Sequence, residues 1–98
     1  MAKKIVWTKR ASHKFNNVID YLELEWGPKV TRNFARKTFD IIDLISHQPE
    51  LGTVENQEKM IRGFLLTKHH RLFYRVTSGE IILLNFFDTR SGRKRKRL

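Results

Sequence analysis

Two stretches of helical periodicity meet at Gly27-Pro28, and this junction constrains the 98-residue chain more than any other feature. Ala11, Phe15, Val18, Ile19, Leu22 and Trp26 recur at the helical period and line one face of a first helix. Val30, Phe34, Thr38, Ile41, Ile42 and Ile45 do the same for a second, which runs to about His47. Gly27 supplies a helix stop that tolerates positive φ, and Pro28 supplies the pre-set φ of a first helical turn. The corner between them is therefore tight, and two helices joined so closely fold back as an antiparallel hairpin. Each helix is apolar along one stripe only, so another layer must cover both.

The rest of the chain supplies that layer. Lys4-Ile5-Val6-Trp7 is a short, partly β-branched run that stops at Thr8, whose hydroxyl suits it to cap the first helix. His47-Gln48-Pro49-Glu50-Leu51-Gly52 ends the second helix, and a polar loop is expected up to about Lys59. Three β-rich segments follow, Met60 to Leu66, His70 to Thr77 and Glu80 to Phe87, the last two joined through Thr77-Ser78-Gly79-Glu80 as a hairpin. The order β-α-α-β-β-β predicts an α+β fold, with the helical hairpin packed on one face of an antiparallel-rich four-stranded sheet. One domain is expected over residues 1–90, followed by a basic tail over 91–98. The uncovered face of such a sheet must meet water or a ligand.

Charge narrows the choice of ligand. The formal net charge is +10, and it is unevenly placed: residues 1–58 carry 9 Lys and Arg against 8 Asp and Glu, whereas residues 59–98 carry 11 against 2. A field concentrated in this way attracts a polyanion or an acidic protein. Five of those positive charges form the run Arg93 to Arg97, which could also be a solvated end. The chain has no cysteine, which excludes disulfides, thiolate metal sites and cysteine nucleophiles together. No apolar run is long enough to span a bilayer, so a cytoplasmic protein without membrane contact is expected.

Alternation along the penultimate strand sorts its side chains. His70, Leu72, Tyr74 and Val76 share one side, and Arg71, Phe73 and Arg75 share the other. Two guanidinium groups flanking an aromatic ring can clamp phosphates and stack a base. Exposed arginine and phenylalanine also occur simply as a solvated strand face. Arg62 on the preceding strand is expected to join them if the register permits, on a surface shared with Phe64 and Leu66. Asp88, Thr89 and Arg90 follow the last strand as a rim, and Lys68, Arg93, Lys94 and Arg95 extend the candidate nucleic-acid surface. His69 and His70 are adjacent and face opposite ways in extended chain, so no metal site is expected. A nucleophile elbow, a phosphate-binding glycine loop and a carboxylate pair in the basic half are all missing.

These residues resemble the RelE/ParE superfamily of type II toxin-antitoxin toxins across nearly the whole chain. The likeness rests on Ile5-Val6-Trp7-Thr8 with Ala11, Pro49-Glu50-Leu51-Gly52, Arg62-Gly63, His70-Arg71-Leu72-Phe73-Tyr74-Arg75-Val76, Ile81-Ile82-Leu83-Leu84 and Phe86-Phe87-Asp88-Thr89-Arg90. It implies two helices on an antiparallel-rich sheet, a growth-inhibiting activity without cofactor, and a cognate antitoxin encoded beside the toxin. It also implies one of two targets. RelE-like members cleave messenger RNA on the ribosome, which would make Arg62, Arg71, Arg75 and Arg90 phosphate binders and His70 an acid/base candidate. ParE-like members poison DNA gyrase by protein contact. No Tyr or His follows Tyr74, so the C-terminal aromatic acid common in the RNA-cleaving members is missing. The heavy basic charge suits the ribosome, and RNA cleavage is the reading placed first at this point, ahead of gyrase contact and of simple nucleic-acid binding.

Overall fold

The computed structural model describes residues 2–89. The elements are β1 (Lys4–Trp7), α1 (Lys9–Trp26), α2 (Pro28–His47), a 3-10 turn (Pro49–Leu51), β2 (Thr53–Asn56), β3 (Ile61–Thr67), β4 (His70–Val76) and β5 (Glu80–Asp88). The strands form one sheet in the order β1-β5-β4-β3-β2. β1 runs parallel to β5, and the other three pairings are antiparallel.

The helix boundaries follow from local chemistry. The Thr8 hydroxyl accepts from the Ala11 amide (3.1 Å) and donates to the Leu83 carbonyl (2.7 Å), so one side chain both caps α1 and ties it to β5. Gly27 sits at φ 88°, where a side chain would be strained, and it closes α1 and opens α2 at once. Ala11, Phe15 and Leu22 of α1 and Phe34, Ile42 and Ile45 of α2 are buried, together with Leu66, Leu72, Tyr74, Ile81, Leu83 and Phe86 of the sheet. Burial of each large apolar side chain contributes about 1.5–3 kcal/mol. Trp7 and Phe86 stack at 5.7 Å, and Phe15 meets both rings, which locks the start of α1 against β5.

Two expectations are corrected. The polar loop after Gly52 contains β2, so the sheet has five strands among the described residues; four exposed residues with one apolar member gave no burial pattern to read. Trp26 and Val30, expected on the apolar stripes, are 64% and 42% exposed. They lie at the corner of the hairpin, a turn past Leu22 and a turn before Phe34, where the stripe has outrun the core. Along β5 the alternation of faces is broken. Phe73 pairs with Asn85 but Tyr74 with Leu83, which leaves Leu84 as an extra residue. This bulge inverts the phase, so Ile81, Leu83 and then Phe86 point inward while Asn85 turns outward.

Candidate target-binding face

Register places the outward residues in three rows. Leu65, Arg71 and Phe87 form the first, Gly63, Phe73 and Asn85 the second, and Ile61, Arg75 and Ile82 the third, which Val6 extends on β1. Phe73 is thus central, with an arginine above and below it along β4. The Arg71 guanidinium carbon lies 5.4 Å from the centroid of the Phe73 ring. Its Nη2 donates to Glu55 Oε2 at 2.7 Å, across β3 from the edge strand. Arg75 donates its Nε to the Lys59 carbonyl at 3.1 Å and forms no ion pair among the described residues, leaving its charge available. Leu65 is 54% and Phe87 36% exposed, so the face is apolar as well as basic.

The remaining site candidates go elsewhere. Arg62 pairs in register with Tyr74 and Phe64 with Leu72, so that parity of β3 belongs to the helix-covered side and not to the arginine face. The Arg62 Nη1 donates to the carbonyls of Glu50 (3.2 Å) and Gly52 (2.6 Å), tying the segment after α2 to β3. His70 is 5% exposed under α2, with its ring 5.2 Å from that of Phe34. Its Nδ1 is hydrogen-bonded to the Thr67 hydroxyl at 2.9 Å, and its Nε2 lies 3.8 Å from Asp88 Oδ2. Burial takes His70 away from any ligand on the open face, and Asp88 turns inward with it. Lys68 is exposed on the β3–β4 turn. Arg90, Arg93, Lys94 and Arg95 lie outside the described residues.

Tyr74, on the same inward parity, is fully buried, and desolvation pushes its phenol above the ordinary value of 10.0 despite the opposing effects of the Gly52 amide and Arg62. Sequence reasoning missed Glu55, Leu65, Asn85 and Phe87. The alternation Thr53-Val54-Glu55 was the available signal for Glu55, and it is too short to distinguish from a loop. Asn85 was hidden by the bulge.

Comparisons with known proteins identify the class. A chain of the solved chromosomal ParDE TA system from P. aeruginosa aligns with a TM-score of 0.73 at 15% identity, covering 89% of this chain and 96% of that one. The YoeB/ParE toxin from Agrobacterium tumefaciens gives 0.62 at 15% identity, with 87% and 96% covered. The RelBE2 toxin-antitoxin complex from Mycobacterium tuberculosis gives 0.60 at 13%, with 90% and 99% covered. At such identities the likeness concerns the fold, which is that of the RelE/ParE toxins. A search of curated protein sequences finds no match. The profile of the ParE toxin of type II toxin-antitoxin systems, parDE, matches residues 5–93. The chain belongs to this family, and membership implies a cognate antitoxin.

Proposed function

We propose that this toxin arrests growth by protein contact through its open sheet face, with DNA gyrase as target, and that it acts in the cytoplasm. The observation that carries the reading is the position of the histidines and tyrosines, the usual proton donors in RNA cleavage. The chain has four histidines and two tyrosines. His70 and Tyr74 are buried beneath the helices, His13 and Tyr21 lie on α1, and His47 ends α2 with its Nδ1 against the Asp43 carbonyl. Of these, only His69, on the β3–β4 turn, is neither buried nor on a helix, and the carboxylate on the arginine face, Glu55, is engaged by Arg71 at 2.7 Å. General acid–base cleavage of RNA needs a proton donor and acceptor within hydrogen-bond reach of the reacting oxygens. The face instead offers Phe73, Phe87, Leu65 and Arg75, the aromatic, apolar and guanidinium groups that dominate protein interfaces.

The pairing of Arg71 and Arg75 around an aromatic ring favours a second reading, RNA cleavage by arginine-stabilised attack of a 2′-hydroxyl. Two assays with the purified chain separate them. Gyrase supercoiling should be inhibited while messages translated in vitro stay intact; mapped cuts within ribosome-bound messages, with supercoiling unaffected, would establish the second reading and end the first.

A further inference from the structure

We propose that Arg71 is the seat for a carboxylate of the target protein, and that Glu55 holds that seat in the free chain. The inference rests on the reading of the open face as a protein-contact surface.

Glu55 reaches Arg71 because of an irregularity in the edge strand. Thr53 pairs with Gly63 and Val54 with Arg62, but Asn56 then pairs with Ile61, which leaves Glu55 as the extra residue of a bulge. A bulge re-aims the side chain it carries. Glu55 Oε2 accepts from Arg71 Nη2 at 2.7 Å and from the Thr53 hydroxyl at 3.2 Å. The space beneath exists because residue 63 is glycine. A Cβ there would lie 2.8 Å from Arg71 Nη2 and 2.9 Å from Glu55 Oε2, closer than such atoms approach. Gly63, the bulge and the Phe73 ring together hold the guanidinium in one pose.

The seat is incompletely filled. A guanidinium presents two parallel donors to a carboxylate, and the bidentate arrangement is the strong one. Glu55 takes only Nη2, through a single oxygen. Arg71 Nε is buried and has no acceptor among the described residues, an arrangement that costs free energy and calls for an explanation. A carboxylate not tethered to β2 can engage both nitrogens. Displacing Glu55 is easy, because both side chains of the pair are about one-third exposed, 33% and 35%, and exposed pairs are weak. Leu65 and Phe87 flank Arg71 across the neighbouring strands. The fitting ligand is thus a polypeptide that places an acidic residue beside apolar ones.

The full chain with Glu55→Gln tests this, using Glu58→Gln as a control. Glu58 is exposed on the β2–β3 turn and forms no ion pair among the described residues, so both variants change net charge alike. Binding of poly-L-glutamate and of a uridylate oligomer is measured by titration, with the Arg71 Nε–H resonance as the local readout. Glu55→Gln should bind poly-L-glutamate roughly two- to fivefold more tightly than the parent and shift the Arg71 signal on binding. Glu58→Gln should gain less, and Arg71→Lys in the Glu55→Gln background should remove the difference. Equal gains in the two glutamine variants, or an unmoved Arg71 signal, would overturn the proposal. An equal gain for the uridylate oligomer would overturn the assignment to a protein carboxylate. If Glu55→Gln does not fold, Glu55→Asp, which withdraws the carboxylate by one methylene, is compared with Glu58→Asp and held to the same outcomes. Message cleavage alongside a Glu55-dependent gain would overturn the functional reading and leave the seat standing. Gyrase inhibition without that gain would do the reverse.

Discussion

The Tyr74 hydroxyl accepts from the Gly52 amide at 2.9 Å while donating to the Pro49 carbonyl at 2.8 Å. This one phenol fastens the segment between α2 and β2 to the centre of the sheet. A Cβ on Gly52 would lie 2.7 Å from both the Tyr74 oxygen and the Gly63 carbonyl oxygen. Gly52→Ala should therefore lower stability by about 1–3 kcal/mol, read from chemical denaturation. An unchanged midpoint would show that the segment is not fastened in this way.

Alkaline pH should loosen the same bond. Burial raises the folded-state pKa of Tyr74 above the 10.0 of the free side chain. A group that holds its proton more tightly when folded contributes stability that is complete below pH 10 and lost as pH rises through the folded value. Tyr74→Phe removes this dependence. The stability gap between parent and Tyr74→Phe, followed from about pH 8 to about pH 11, should narrow above pH 10; a constant gap would contradict the assignment.

Charge on the open face should be needed for toxicity and not for folding. Replacing Arg71 and Arg75 together by glutamine should relieve growth arrest, with stability changed by less than about 1 kcal/mol, since neither side chain enters the core. Full toxicity of the double variant in an induction assay would displace the target from this face.

His69 gives the sharpest genetic test of the choice of target. If no proton transfer occurs at the face, His69→Asn should leave growth inhibition within about twofold of the parent, a difference too small to represent loss of a catalytic acid or base, which costs about a hundredfold or more. A collapse of toxicity in that variant, with the fold retained, would return RNA cleavage to first place.

What could be read from the chain divides along physical lines. The periodicity of Phe15 to Leu22 and of Phe34 to Ile45, with Gly27 between them, is a strong repeated signal, and the hairpin it predicts is present. The alternation of His70 to Val76 likewise separates the buried residues from Arg71, Phe73 and Arg75. Arg62 went to the other side because parity within β3 says nothing of its phase relative to β4; only the pairing with Tyr74 fixes that. The two bulges, at Glu55 and Leu84, were illegible for the same reason, since an extra residue leaves composition unchanged and alters only register. Glu55 is the costliest omission. It lies in a stretch where charge and exposure read as loop, and its partner is 16 residues away.

The parallel pairing of β1 with β5 has a consequence for synthesis. The Thr8 hydroxyl finds the Leu83 carbonyl across 75 steps of sequence, and among the described residues β1 has no other strand neighbour. At translation speeds of about 5–20 residues per second, the first strand waits roughly 4–15 s for the one that completes it. Until β5 has been made, the nascent polypeptide therefore has no finished sheet to expose to a target.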